Sequence, residues 1–203
     1  MRDRLLTQAR RIVVKVGSSL VASRDQGLEA DRIERLSDEL AALKQEKREV
    51  VLVSSGAIIS GIRKLGLTSQ PKGLPFKQAA AAVGQSRLMW AYEKAFSRLG
   101  QTVAQVLLTH QELADRKLFL NARHTLTTLI SLGVIPIINE NDTVATEEIA
   151  FGDNDVLSVH AAHLVRADLL IVLSDVDGFF LRDGSRVRGV GSIAEIEIGR
   201  AHV

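Results

Sequence analysis

Apolar and polar positions fall into two kinds of block along the chain. Short runs that are almost wholly apolar occupy residues 12–16, 50–53, 134–138 and 169–173, with a fifth at 102–108. Their length and β-branched content predict strands covered on both faces. Between them, apolar positions recur at helical spacing. Residues 28–47 place Ile33, Leu36, Leu40 and Leu43 on one side, with charges opposite. Residues 75–99 predict a long helix, and 118–132 and 156–165 predict shorter ones. Strands alternating with helices predict an α/β fold, an open, mainly parallel sheet sandwiched by helices. Residues 176–190 read as a small hairpin around Arg182-Asp183-Gly184.

Four of the five predicted strands are followed by a polar turn that bears on function. The first leads to Gly17-Ser18-Ser19, the second to Ser54-Ser55-Gly56, the fourth block to Asn139-Glu140-Asn141-Asp142, and the last to Ser174-Asp175. In an open parallel sheet, ligands bind beyond the carboxyl ends of the strands, so these turns are expected to converge on one rim. A second polar cluster, Gly152-Asp153-Asn154-Asp155, opens an amphipathic stretch. The two clusters together hold seven carboxylate and carboxamide side chains. Burying such groups unpaired costs roughly 1–3 kcal/mol each. They are expected to face water or a polar, partly charged ligand.

Individual residues admit an ordinary and a functional reading. Gly17-Ser18-Ser19 and Ser55-Gly56-Ala57 fit serine-capped strand-to-helix turns, or backbone cradles for an anion. Neither fits the common phosphate motifs, since G-x-x-x-x-G-K-[ST] and G-x-G-x-x-G are absent. Lys15 interrupts an otherwise apolar strand and shares a face with Gly17. It either reaches the sheet edge along its aliphatic stem or meets a phosphate above the turn. Asp153 serves as a helix cap, or holds Lys15, a magnesium ion or an amino group. His160 and His163 lie three apart with no further ligand nearby, and no metal site is expected.

Composition adds mainly exclusions. The chain has 203 residues, enough for one domain with a sizeable core, and a net charge of +2. That balance gives no electrostatic reason to expect nucleic acid or an anionic membrane as partner. Without cysteine there is no disulfide framework and no thiolate chemistry. With no apolar stretch of membrane-spanning length, the default expectation is a soluble cytoplasmic protein.

The segments Val13-Val14-Lys15-Val16-Gly17-Ser18-Ser19, Val53-Ser54-Ser55-Gly56-Ala57-Ile58, Asn139-Glu140-Asn141-Asp142 with Val144-Ala145-Thr146, and Gly152-Asp153-Asn154-Asp155 resemble the amino acid kinase superfamily. Within it they are most similar to the members that phosphorylate glutamate, as are residues 79–87 (AAAAVGQSR) and 115–123 (DRKLFLNAR). The resemblance implies transfer of phosphate from ATP, with Mg²⁺, to the side chain of L-glutamate at the start of proline biosynthesis. It further implies that Lys15 is catalytic and that Asp153 orients it. Lys15, Gly17, Ser18, Gly56, Ser174 and Asp175 would bind ATP. Ser55, Gly56, Asp142, Asn154 and Asp155 would bind glutamate. Feedback inhibition by proline and a homo-oligomeric state follow from the same resemblance. The chemistry suits these residue types. A carboxylate nucleophile, with a reference pKa of about 4.3, needs no general base. The reaction needs positioning and charge cancellation instead. Other readings left open are an acetylglutamate or uridylate kinase, and a non-catalytic binding module.

The resemblance assigns residues 1–197 to the N-terminal and central part of the kinase domain; the family's later segment G-T-G-G-M-x-T-K, and the PUA domain that many members append, are expected to be absent from these 203 residues. Ile198-Gly199-Arg200-Ala201-His202-Val203 does not resemble the family. It corresponds to one frame of a common sequencing adapter, so 198–203 are expected to be adapter read-through and the 203-residue chain to be weakly active or inactive.

Overall fold

A computed structural model of the chain describes residues 7–23, 25–67, 73–145 and 154–175. The chain divides into two compact units, Met1–Leu173 and Ser174–Val203, each taken by itself. The expected hairpin at 176–190 and the terminal residues 198–203 lie outside the described residues.

In the first unit, β1 (Arg11–Val16) leads through a single helical turn, α1 (Ser18–Val21), into a short antiparallel hairpin, β2 (Ala22–Ser23) and β3 (Gly27–Leu28). Next come α2 (Ala30–Gln45), β4 (Glu49–Ser54), α3 (Ala57–Lys64) and the long α4 (Leu74–Ser97). β5 (Val103–Leu108), α5 (His110–Ala114), α6 (Arg116–Ser131), β6 (Ile135–Glu140), α7 (Asn154–Val165) and β7 (Leu169–Leu173) complete the series. Five strands form one parallel sheet in the order β5-β6-β4-β1-β7. The expected α/β fold with a parallel sheet between helices is what forms.

Alternate residues of each strand supply two separate cores. Ile12, Val14, Val50, Leu52, Ile135 and Ile137 pack with Ile33 and Leu40 of α2 and Leu88, Tyr92 and Phe96 of α4. Val13, Val51, Val53 and Ile138 pack on the other face with Leu126 and Ile130 of α6 and Leu157, Ala161 and Leu164 of α7. Two-sided burial explains why these strands read as unbroken apolar runs.

The expected elements differ from the observed ones mainly where polar residues take part. β6 runs on through Asn139 and Glu140, paired in register with Leu107 and Leu108. Those two polar residues are therefore the end of a strand and not a turn beyond it. α6 starts two residues earlier than the apolar pattern indicates, because Asp115 caps it by accepting bonds from the backbone N–H groups of Lys117 and Leu118 at 2.8 and 2.9 Å. α3 and α4 cross at backbone contact. A Cβ on Gly84 would stand 1.7 Å from the carbonyl oxygen of Ala57, and one on Gly61 would stand 1.7 Å from that of Ala80. This crossing locks the turn after β4 against α4, and both carry residues of the site.

Candidate functional site

Lys15 lies in β1 between Val53 of β4 and Val172 of β7 and is only 6 % exposed. Its alternation places it on the face covered by α7, whose first turn presents Asp155. The Lys15 ammonium and the Asp155 carboxylate form an ion pair. An acidic residue in that first turn is also favoured by the positive end of the helix. A Cβ on Gly17 would come 3.9 Å from Lys15 Nζ. The backbone of Gly17 is ordinary extended chain, with φ −70° and ψ 157°, and a Cβ there would sit at ordinary contact distance, so neither conformation nor a clash demands glycine at this position.

One residue before Asp155, the Asn154 amide gathers three acceptors. Its Nδ2 donates to Ser55 Oγ at 2.7 Å, Asn139 Oδ1 at 3.0 Å and the Ser54 carbonyl at 3.2 Å. Asn139 in turn donates to Gln85 Oε1 at 2.8 Å, while its own Oδ1 accepts the Glu140 N–H at 2.9 Å. Ser54 Oγ meets the fully buried Tyr92 hydroxyl at 2.8 Å. Burial pushes the Tyr92 hydroxyl well above its usual pKa, against the opposing effect of the Ser54 bond, so it stays protonated. The turn after β4, the end of β6, the middle of α4 and the start of α7 are thereby joined by side chains. Gln85 Nε2 is buried with no hydrogen-bond partner among the described residues, a donor left for something else.

Asp142 stands in the turn after β6, which is tied back by the Asn141 N–H donating to the Leu108 carbonyl at 2.9 Å. Burial first, and the nearby Glu140 charge second, push its carboxyl up to about 6. A carboxylate held in this way is complemented by a cation. Gly56 has φ +105°, a conformation open to glycine, and a Cβ there would lie 3.0 Å from Val21 Cγ2.

The structure thus brings Lys15, Gly17, Ser55, Asn154 and Asp155 together, with Gly56 adjoining Ser55 and Ser18 following Gly17 at the start of α1. The helix caps are Gly17 and Gly56, neither with a side-chain capping bond, so the serine-cap reading of those turns does not hold. The Lys15 ion pair described here goes to Asp155, which the resemblance set beside the substrate. Asp153 lies outside the described residues. Ser174 and Asp175 are exposed and belong to the second unit. His160 and His163 share α7, and the His160 imidazole is pushed down by burial and by His110 and His163. Sequence reasoning assigned no role to Gln85 or Tyr92, and took Asn139 only as part of the polar cluster 139–142. The matching segment AAAAVGQSR contains Gln85 and was the available signal.

Among the described residues, no helix is long and apolar enough to cross a membrane. The sequence pattern of the amino acid kinase family matches residues 10–202. The chain is 54 % identical over 183 residues to a glutamate 5-kinase from Geobacter metallireducens, covering 90 % of this chain and 49 % of that protein. It is 53 % identical over 201 residues to one from Azoarcus sp., covering 99 % and 53 %. It is 52 % identical over 202 residues to one from Streptomyces coelicolor, covering 96 % and 54 %. The chain spans about half the length of the curated relatives it matches.

Proposed function

The chain belongs to the amino acid kinase family, and from that premise we propose that it supplies the lysine and the amino-acid pocket of a glutamate 5-kinase. The reaction is ATP-dependent phosphorylation of the L-glutamate side-chain carboxylate to L-glutamyl 5-phosphate, the first step of proline biosynthesis. The observation that carries the proposal is the Asn154 amide bound to Ser55 and Asn139 one residue away from the Lys15–Asp155 ion pair. An amide cluster suited to an amino acid therefore adjoins a buried cation suited to a phosphate.

The division of labour follows from the donors and acceptors. Asp142, short of positive charge, takes the substrate ammonium. Ser55 and the unpaired Gln85 Nε2 offer donors to its carboxylates, while Asn154, whose Nδ2 is already committed to Ser54, Ser55 and Asn139, fixes the Ser55 hydroxyl and presents its Oδ1 to the substrate. Lys15 stabilises the charge of the transferring phosphoryl group, and Asp155 holds the ammonium in place. Gly17 adjoins Lys15, and the uncapped N–H groups at Gly56 and the start of α3 face the same turn. Asp153, Ser18, Ser174 and Asp175 are assigned on the resemblance alone, Asp153 to orienting Lys15 and the other three to the nucleotide. Mg²⁺ arrives with ATP as part of that substrate and offsets phosphate charge. Inhibition by proline and assembly into a homo-oligomer belong to the same proposal.

Calorimetric titration of the chain with amino acids tests it. L-Glutamate binds, whereas N-acetyl-L-glutamate, which lacks the ammonium that Asp142 requires, and uridine monophosphate do not. Binding of either alternative in preference to glutamate overturns the assignment. Lys15→Ala should leave glutamate binding nearly intact, while Asn154→Ala weakens it by about tenfold or more, as expected for a lost hydrogen bond near a charged group.

A further inference from the structure

A second concavity of about 190 Å³ is lined by the hairpin residues Gln26 and Gly27, by Ser60, Arg63 and Lys64 of α3, and by Arg87 of α4. None of these takes part in the reaction proposed above, and among the described residues no carboxylate lines it. Arg63, Lys64 and Arg87 form no ion pair among the described residues. Ser60 is 2 % exposed, and its hydroxyl has no hydrogen-bond partner among the described residues.

Ordinary causes account for part of this. Basic residues are favoured in the last turn of a helix, which explains Arg63 and Lys64. It does not explain why Arg87, in the interior of α4, joins them, nor why a buried hydroxyl stays unsatisfied where buried polar groups are normally paired. The hairpin also closes tightly on this corner. Gly27 has φ +80°, and a Cβ there would lie 3.2 Å from Arg63 Cγ, so the strand backbone braces the arginine stem.

We propose that this pocket binds a small phosphate-bearing anion carrying at least two negative charges. Guanidinium groups match phosphate oxygens in paired hydrogen bonds, the lysine adds a point charge, and the Ser60 hydroxyl supplies a buried donor. A compact multivalent anion fits three converging cations better than a singly charged one. The bound anion would tie the β2–β3 hairpin to α3 and α4, so its arrival should be visible as thermal stabilisation.

Inorganic pyrophosphate, titrated into the 203-residue chain at constant ionic strength, is the probe, with calorimetry and thermal unfolding as readouts. The expected result is one saturable site that persists in Lys15→Ala. Affinity should fall at least tenfold in Arg63→Gln/Arg87→Gln and severalfold in Ser60→Ala. Arg87→Lys, which keeps the charge and loses only the fork, should fall by a smaller factor and guards against misfolding of the double variant. Binding that survives the double variant, or that vanishes with Lys15→Ala, overturns the proposal. Equal binding of citrate at matched charge overturns the phosphate assignment.

Discussion

Asp142, the residue proposed to take the substrate ammonium, carries a cost in the empty protein. Its folded value of about 6 stands above the ordinary 3.8, raised by burial and then by Glu140. A raised value in the folded state means that the stability from protonated Asp142 is complete below 3.8 and lost as pH climbs through about 6. At neutral pH the ionised carboxylate therefore weakens the unliganded fold, and the substrate ammonium proposed to bind there would relieve it. Two outcomes follow. Asp142→Asn should unfold at a higher temperature than the parent at pH 7 without ligand. Glutamate affinity in the parent should fall about tenfold from pH 7 to pH 5, as the competent ionised fraction shrinks, and that slope should flatten in Asp142→Asn. An equal slope in both proteins by calorimetry would place the titrating group elsewhere.

At the level of elements, the contact between α3 and α4 sets two principles against each other. Replacing glycine by alanine inside a helix ordinarily gains about 1 kcal/mol. At Gly84 the added Cβ would stand 1.7 Å from the Ala57 carbonyl oxygen and 2.5 Å from the Gly61 nitrogen. These are backbone atoms that cannot rotate aside, so the helices must separate. Overpacking of this kind costs about 1–3 kcal/mol or more. Gly84→Ala is expected to lower stability in urea by at least about 1 kcal/mol net, whereas Ser86→Ala on the exposed side of α4 should change little. A stabilised Gly84→Ala would refute the close crossing.

The same elements explain what the sequence made legible. β1, β4 and β6 were readable because two-sided burial leaves long apolar, largely β-branched runs, and the half-buried β7 because it is wholly apolar. The β2–β3 hairpin has two residues per strand, too few for a period to emerge. Lys15 stood out as a lone charge in an apolar run, and Asn154 as part of a dense polar cluster. Gln85 was invisible because α4 is apolar and small-residued on several sides, so one amide resembles a solvent-facing position. Its role arises only from a partner on β6, Asn139, 54 positions away. Contacts of that range leave no periodic trace.

For the sheet-bearing unit as a whole, the proposed pocket is assembled from parts that unfolding would scatter. Ser55 follows β4, Asn139 ends β6, Gln85 lies in α4 and Asn154 opens α7. A ligand that engages several of them is released if any one peels away, so binding should stabilise the cooperative unit and not a single loop. Glutamate at a hundredfold excess over its Kd should then raise the unfolding free energy by about 2.7 kcal/mol. At the same concentration, Asn154→Ala should show a clearly smaller rise, because its Kd is weaker. Saturable glutamate binding accompanied by no shift in the unfolding transition would mean that the ligand sits on a locally folded segment, and the pocket joining β4, β6, α4 and α7 would have to be given up.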